Sequence, residues 1–349
     1  MKSTNKIFFI LSGEHQTLPK AEVKAVLEAE NFSGKIIEVS QRLITCVCNN
    51  GEKWVKKIGE RSGMCKVSGI EIFECPFDLK EISKHIQEAN LENFLKPKET
   101  FAVRIINLTN KKVDKLQLES VLGNLIIKKI NELKVNLNQP EKTILGVLIE
   151  DKFLLGVEGH RKLKGAIMNR SPEKRPVRHA ATMKPKLARC MVNLSRAYPK
   201  KLFLDPFCGV GGLLIEAGLI GCKLIGCDIK LSMVKGALKN LFFFGLNHEG
   251  LLQADARKLP FNSASSIATD PPYGTSATTL KTPLKELLTN FLSGALTILD
   301  SKGFICLASP KEAKIEEIGE KIGFKLIEKH EMYIHKRLTR EIAVLRKDY

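Results

Sequence analysis

Short apolar runs alternate with amphipathic segments along the chain. Within residues 1–55, the runs KIFFIL and LITCVCN have the length and composition of β-strands. The segment TLPKAEVKAVLEAE lies between them. It starts with a threonine, has an early proline and is rich in Ala, Glu and Leu, which predicts a helix. This part of the chain therefore predicts strand, helix, strand, and it is too short to bury a core alone.

Residues 56–160 continue the alternation of strands and helices in a less regular form. DLKEISKHIQEANLENF and LQLESVLGNLIIKKINELKV have apolar residues at helical spacing, and ETFAVRIINLT is an apolar strand. TILGVLIEDKFLLGVE predicts two strands around a turn at Glu150–Asp151. Together these elements predict an α+β domain. Its acids, bases and nucleophiles fall on polar helix faces, so we interpret it as a binding module.

From Lys201 onward the pattern becomes regular. The helix predicted for KPKLARCMVNLSRAY is followed by strands that end at Asp205, Asp228, Asp255 and Asp270, with helices between them. A fifth strand, FICLASP, precedes FKLIEKHEMYIHKRLTREIAVLR, which predicts a closing antiparallel hairpin. Strands that alternate with helices indicate an α/β fold with a mostly parallel sheet.

Composition narrows the class of protein. The chain has 349 residues, 44% of them apolar, which is enough for two or three domains with real cores. No run approaches a membrane span, and the start is typical of a strand rather than of a signal peptide. The nine cysteines form no C-x-x-C pair and lie near no histidine cluster. We expect a cytoplasmic monomer without disulfides, metal or membrane contact.

Charge points to a polyanionic partner. The formal net charge is +18, and residues 161–201 contain thirteen Lys or Arg against one acid, Glu173. Prolines at 172, 176 and 185 predict that residues 161–180 form a basic linker. The alternative is a linker that is merely solvated.

The stretch LFLDPFCGVGGLLIEAG predicts a nucleotide site. A strand ends at Asp205, a glycine turn follows, and the next strand ends at Asp228. Backbone N–H groups at such a turn bind anions, and an acid at the end of the second strand binds ribose hydroxyls. A dehydrogenase would have G-x-G-x-x-G, whereas this turn reads G-V-G-G. An acid before the turn repels a pyrophosphate but can hold an amino group, so we predict S-adenosylmethionine as the ligand.

Two further strand ends add polar groups at the same edge. Asp255 can accept from an adenine amino group beside the N–H of Ala256, although an Asp there also suits a helix cap. Asp270 and the carbonyls around the two following prolines are acceptors that can hold both N–H bonds of a ring-conjugated amine. Tyr273 can stack on the base, and Asp270 can take its proton. The alternative is a plain turn, because Asp-Pro-Pro and Tyr-Gly are turn-compatible.

The motifs DPFCGVGG, GCDI, QADA and TDPPYG, in this order, resemble class I S-adenosylmethionine-dependent methyltransferases that methylate amino groups. With KPKLARCMVNLS, the basic segment, the N-terminal region and IHKRLTREIAVLR, the chain resembles archaeal tRNA (guanine-10) N2-methyltransferases. The resemblance implies a Rossmann-like C-terminal domain with a mostly parallel seven-stranded sheet, residues 181–349. It also implies a ferredoxin-like segment, residues 1–55, and an RNA-binding THUMP domain, residues 56–160, before the linker.

The resemblance also implies the site residues and the substrate. The residues that would bind S-adenosylmethionine are Thr182, Met183, Asp205, Cys208, Gly209, Gly211, Asp228, Ile229, Asp255 and Ala256. The residues that would hold guanine and catalyse the reaction are Asp270, Pro271, Pro272 and Tyr273. The expected partner is tRNA. Lys336, Arg337 and Arg340 on the closing hairpin would either contact its phosphates or simply be solvated.

The expected function is methylation of the exocyclic N2 amine of guanosine 10 in tRNA, with one or two methyl groups added. Three alternatives stay open: a tRNA guanine-6 N2-methyltransferase, a DNA amino-methyltransferase and a non-catalytic RNA-binding protein. The RNA-type N-terminal module disfavours the second. The intact Asp-Pro-Pro-Tyr disfavours the third, because a dead domain has no need of that carboxylate.

Overall fold

The structure, a computed structural model, describes residues 4–163, 165, 167–180, 182–272, 283–335 and 338–348, with Glu38 described by its backbone only. The chain divides into two compact units. The first comprises Met1–Gly13, Ser33–Glu60 and Cys65–Lys162, and the second comprises Glu14–Phe32, Arg61–Met64 and Leu163–Tyr349. The domain limits expected after residues 55, 160 and 180 follow sequence patterns rather than compactness, and they remain predictions.

The strands are β1 (Thr4–Leu11), β2 (Lys35–Ser40), β3 (Leu43–Asn49), β4 (Cys65–Pro76), β5 (Thr100–Asn107), β6 (Lys134–Val135), β7 (Lys142–Ile149), β8 (Lys152–Arg161), β9 (Leu202–Asp205), β10 (Lys223–Asp228), β11 (Gly250–Gln253), β12 (Ala264–Thr269), β13 (Leu299–Pro310), β14 (Phe324–His335) and β15 (Leu338–Lys347). The α-helices are α1 (Leu18–Ala29), α2 (Gly51–Arg61), α3 (Leu79–Glu88), α4 (Lys115–Lys129), α5 (Pro185–Leu194), α6 (Gly212–Gly218), α7 (Leu231–Phe243), α8 (Leu284–Ile298) and α9 (Ile315–Ile322).

The first unit contains an eight-stranded sheet in the order β2-β3-β1-β4-β8-β7-β5-β6. Helix α3 begins after Asp78, whose carboxylate accepts two backbone N–H groups of the first turn. Apolar residues three or four apart on α3 and α4 fill the core against β5, β7 and β8. They are Ile82, Ile86, Leu118, Leu122 and Ile126. The helical spacing seen in the sequence thus becomes one buried face.

The second unit contains a seven-stranded sheet in the order β11-β10-β9-β12-β13-β15-β14. β11, β10, β9, β12 and β13 pair in parallel in this order, whereas β15 pairs antiparallel with both β13 and β14. One apolar cluster holds α5, α6 and α7 on one face of this sheet, and another holds α8 and α9 on the opposite face. The predicted α/β fold with a seven-stranded, mostly parallel sheet is confirmed.

Helix α1 is part of the second unit although its flanking strands are in the first. The carboxylate of Glu22 on α1 is fully buried and accepts hydrogen bonds from Ser62 Oγ at 2.6 Å, the Gly63 N–H at 2.7 Å and Asn193 Nδ2 at 2.8 Å. A buried carboxylate is stable only with such partners. The predicted strand, helix and strand correspond to β1, α1 and β3, but the structure adds β2 between α1 and β3. The pattern also does not define one packing unit.

A buried ionic cluster is centred on Glu216 of α6. Glu216 is fully buried, and its carboxylate accepts from Arg170 Nε and Arg189 Nε, each at 2.8 Å. Arg175 is 2% exposed and donates from Nε to the Arg170 carbonyl at 2.8 Å. Three arginines of residues 161–201 thus donate hydrogen bonds within the second unit. The charge count of residues 161–201 therefore includes three arginines whose side chains are engaged within the protein.

The cysteines, the apolar helices and the possible metal ligands bear on three expectations from the sequence. All nine cysteines are free thiols and buried. No helix in the described part of the chain is long and apolar enough to cross a membrane. Within the ranges given above, no three His, Cys, Asp or Glu side chains come together as metal ligands would.

Candidate active site

A cavity of about 530 Å³ lies in the second unit at the carboxyl ends of β9, β10, β11 and β12. Strand order reverses between β9 and β12, and ligands of open α/β sheets bind at such a reversal. The predicted site residues that line the cavity are Thr182, Met183, Asp205, Cys208, Gly209, Asp228, Ile229, Asp255, Ala256, Asp270, Pro271 and Pro272. Gly211 belongs to the same turn as Gly209 but is not part of the lining. Tyr273 lies outside the described residues.

Asp205 ends β9 at the point of reversal and is 1% exposed. Its Oδ1 accepts from Thr269 Oγ1 at 2.8 Å, which joins the ends of β9 and β12, and from the Phe207 N–H at 3.2 Å. Burial raises the pKa of Asp205 to about 7, and the nearby carboxylates of Asp228 and Asp270 add to the rise. At neutral pH this carboxyl is therefore poised between its two protonation states.

The glycine turn requires glycine for geometric reasons. Gly209 and Gly211 have φ of 50° and 87°, in the left-handed region that side chains disfavour. A Cβ on Gly211 would also lie 3.3 Å from the Cβ of Ala237 on α7. A Cβ on Gly209 would meet no atom within 4 Å, so the described backbone leaves space there for a ligand.

Asp228 connects the glycine turn to the end of β10. Its Oδ2 accepts from the Gly209 N–H at 3.0 Å, and its Oδ1 accepts from the Lys230 N–H at 2.9 Å. A carboxylate has about four acceptor positions. Asp228 therefore keeps acceptor capacity for two hydroxyl groups while the backbone fixes its orientation.

Asp255 lies two residues after β11 and pairs with Arg257. Arg257 Nε is 3.0 Å from Oδ1 and 2.9 Å from Oδ2 of Asp255, and this contact lowers the pKa of the Asp255 carboxyl. The Arg257 guanidinium neutralises the charge and leaves a neutral polar patch at this end of the cavity. Such a patch suits an uncharged heterocycle better than a second cation.

Asp270 directly follows β12 and faces a cation that comes from a distant part of the chain. Its Oδ2 lies 3.5 Å from a terminal nitrogen of Arg340 on β15. Pro271 is buried and Pro272 is partly buried, and neither can donate an N–H. The corner thus offers acceptors with a fixed geometry.

The lining can bind a molecule with a positively charged end and a neutral ring. Asp205, Asp228 and Asp270 place three carboxylates around one part of the cavity, which attracts cations and hydroxyl donors. Burial raises the pKa of the Cys208 thiol well above its usual range, so it is no nucleophile at neutral pH. The arrangement suits transfer of an activated group, with a carboxylate as proton acceptor.

Comparison with known proteins decides the family. Residues 172–342 match the family model described as RMKL-like, methyltransferase domain, and residues 77–158 match the model of the THUMP domain. A tRNA (guanine(10)-N2)-dimethyltransferase of Methanothermobacter thermautotrophicus is 36% identical over 343 residues, which are 97% of this chain and 99% of that protein. The chain belongs to the archaeal tRNA (guanine(10)-N2)-dimethyltransferase family. The family predicted from the motifs is therefore confirmed.

Two further comparisons concern a more distant relative in sequence and a solved structure. A tRNA (guanine(6)-N2)-methyltransferase of Methanocaldococcus jannaschii is 23% identical, with 90% of this chain and 94% of that protein covered. The crystal structure of TrmN from Thermus thermophilus has a TM-score of 0.57 at 19% identity and covers 98% of this chain and 99% of that chain. The dimethyltransferase is thus clearly more similar in sequence, and the TrmN structure shares the fold.

The cavity also includes residues that the sequence analysis did not assign to the site. They are His179, Ala180, Pro206, Phe207, Val210, Gly212, Leu213, Lys230, Met233, Ala254, Arg257, Leu287 and Arg340. Most lie inside or within a few residues of the motifs quoted above, and could have been found from them. Met233 and Leu287 have no such signal, because they reach the cavity from α7 and α8. Arg340 lies in the motif IHKRLTREIAVLR, but the sequence does not show that β15 brings it to the cavity.

Proposed function

We propose that this protein methylates the N2 amine of guanosine 10 in tRNA with S-adenosylmethionine as methyl donor, and that N2,N2-dimethylguanosine is the end product. The observation that carries the proposal is the position of Asp270, Pro271 and Pro272 at the cavity, in a chain of the dimethyltransferase family. A planar amine conjugated to a ring needs acceptors that hold its N–H bonds in place. This corner supplies them.

The lining fits S-adenosylmethionine. Asp228 has acceptor capacity for the two ribose hydroxyls, the space at Gly209 admits the ligand next to the backbone, and Asp205 suits the amino group. The neutral patch at Asp255 and Ala256 suits adenine. When bound, S-adenosylmethionine supplies a methyl group on a positively charged sulfur and leaves as a neutral thioether.

Asp270 acts on the guanine amine. The lone pair of N2 forms the new N–C bond, so the nitrogen becomes positively charged and must lose a proton. Asp270 accepts that proton, and the carbonyl groups of the Asp-Pro-Pro segment hold the remaining N–H. Because the amine of guanine lies in a groove of paired RNA, the base leaves its stack before the reaction.

The N-terminal part supports tRNA as the substrate. A THUMP domain matches residues 77–158, and the net charge of +18 favours a polyanion. Arg178 and Lys184 are exposed on either side of the lining residues His179 and Thr182, so they suit phosphates next to the target base. We propose the domain order ferredoxin-like segment, THUMP domain, basic linker and methyltransferase domain.

The test uses an unmodified tRNA transcript and methyl-labelled S-adenosylmethionine, followed by nuclease mapping of the labelled nucleotide. We expect label in N2-methylguanosine and then in N2,N2-dimethylguanosine at position 10. A transcript with adenosine at position 10 serves as the matched control and should remain unlabelled.

The other outcomes are informative. Label at position 6 would retain the chemistry but assign the chain the activity named for the more distant relative. No label on tRNA while S-adenosylmethionine still binds would contradict tRNA as the substrate.

The protonation of Asp205 predicts how cofactor binding depends on pH. Only the ionised carboxylate attracts a cationic ligand, and with a pKa of about 7 its ionised fraction rises as pH rises through 7. If only the ionised form binds, the affinity for S-adenosylmethionine should increase about tenfold from about pH 6 to about pH 8. Isothermal titration calorimetry of the full chain measures this.

The matched control for this prediction is Asp205→Asn, which keeps the shape of the side chain and cannot ionise. Its affinity should be lower than that of the wild type at high pH and should change little with pH. A wild-type affinity that does not vary between the two pH values would show that Asp205 is not the group that meets the cation.

A further inference from the structure

Arg340 reaches the cavity by an unusual route. The acidic residues of the site come from the carboxyl ends of parallel strands, whereas β15 is antiparallel, so its amino end lies at the same edge. Arg340 lies opposite Pro310 of β13 and Met332 of β14 in the sheet register. Its side chain is 18% exposed, as is that of Asp270, and the two are 3.5 Å apart at the cavity wall.

The carboxylates at this edge interact through their charges. Asp205, Asp228 and Asp270 line the same cavity, and burial, together with the charges of the other two, raises the pKa of Asp205. A cation beside one of these carboxyl groups favours its ionised form.

Arg340 forms an ion pair with Asp270, and His179, Lys230 and Arg257 are the other basic residues that line the cavity. Asp205 has a hydroxyl and a backbone N–H as partners, Asp228 has two backbone N–H groups, and Arg257 is engaged with Asp255. An opposite charge within 4 Å stabilises the ionised form of a carboxyl group. The charge of Arg340 therefore favours the ionised form of the Asp270 carboxyl group.

We propose that Arg340 is a positioning residue for methyl transfer, which keeps Asp270 ionised and oriented so that it can accept the proton of the guanine amine. The proposal rests on the proposed function, because it acts through the role of Asp270 in that reaction. It adds a residue from the closing hairpin, for which the sequence offered only phosphate contact or solvation.

The test is the pH dependence of single-turnover methyl transfer to unmodified tRNA at saturating S-adenosylmethionine, between about pH 6 and about pH 9. In Arg340→Gln, Asp270 loses its counter-charge. The pH at which the rate reaches half of its maximum on the acid limb should therefore rise by about one unit or more. For a shift of one unit, the rate of the variant should fall by up to about tenfold near pH 6 and by less than about threefold near pH 9. Arg340→Lys keeps the charge, and its profile should stay close to that of the wild type.

Arg346→Gln is the matched control, because Arg346 lies on the same strand and pairs with Asp348, away from the cavity. Its profile should equal that of the wild type. Thermal unfolding and S-adenosylhomocysteine binding verify that each variant is folded. Arg340→Met, which keeps the length of the side chain without its charge, replaces Arg340→Gln if the latter is unstable.

Two results would overturn the proposal. One is an equal loss of rate at every pH in the Gln, Met and Lys variants, which is the signature of a purely structural role. The other is an unchanged rate in Arg340→Gln. If the wild type labels guanosine 10 and either result is found, only the role of Arg340 fails; if the wild type labels no guanosine in tRNA, the proposed function fails and this role with it.

Discussion

Asp270→Asn is expected to slow methyl transfer by about a thousandfold, since a general base and its charge together contribute on that order. Asparagine keeps the shape of the side chain but cannot take the amine proton, and it places an amide donor near a substrate that is itself a donor. Single-turnover kinetics with labelled S-adenosylmethionine measure the loss. Binding of tRNA should change by less than about twofold, because phosphate contacts supply most of the affinity.

Asp300→Asn is the control for this experiment. Asp300 is exposed on β13, and its replacement should alter neither rate nor binding. If Asp270→Asn lost tRNA binding together with turnover, the side chain would be holding the structure or the RNA rather than catalysing the reaction. A variant that remained active would remove Asp270 from the mechanism altogether.

Glu216→Gln is expected to lower the free energy of unfolding by about 3–5 kcal/mol, because it leaves buried guanidinium groups without their counter-charge. The carboxylate of Glu216 is fully buried, and Arg170 and Arg189 both donate to it at 2.8 Å. Burial also lowers the pKa of Arg189, which indicates how costly its charge is in this position. Urea unfolding followed by circular dichroism measures the change.

Two further variants help to explain the result for Glu216→Gln. Glu320→Gln changes an exposed glutamate on α9 and should alter stability by less than about 0.5 kcal/mol. Replacement of Arg170, Arg189 and Glu216 together by apolar residues should recover much of the loss, since an apolar substitute avoids burying charge. A loss below about 1 kcal/mol in Glu216→Gln would mean that water or another group compensates the arginines.

The elements that the sequence predicts well are those whose pattern is local. The run LITCVCN corresponds to β3, and the helix predicted for the segment around Leu187 corresponds to α5. The turn at Glu150–Asp151 joins β7 to β8. Alternation and helical spacing reflect one element burying one face, so they do not depend on which partner covers that face.

The sequence predicted which residues line the cavity where those residues follow the ends of parallel strands. Parallel strands place their carboxyl ends at one edge, so Asp205, Asp228 and Asp270 are brought together by the fold class alone. Their roles remain predictions for the experiments above. Arg340 could not be assigned in this way, because its position depends on an antiparallel strand inserted between β13 and β14.

The basic segment, residues 161–201, shows what the sequence could not predict. A count of charges cannot distinguish an arginine that faces solvent from one that is buried against a carboxylate 27 or 46 residues away. Arg170 and Arg189 pair with Glu216, whereas Arg178 and Lys184 are exposed. The partner is set by packing between segments, and no local pattern records it.

The sequence by itself determined β1, α1, β3, α5, the glycine turn, the acids at the strand ends and the family, because each depends on neighbouring residues or on a motif. It did not predict β2, α2, β4 or α9. Only the tertiary structure decided that α1 packs in the second unit, that Arg170 and Arg189 pair with the buried Glu216, and that Arg340 pairs with Asp270. These contacts join residues far apart in the chain. They follow from sheet register and buried charge, which become defined only when the whole chain is folded.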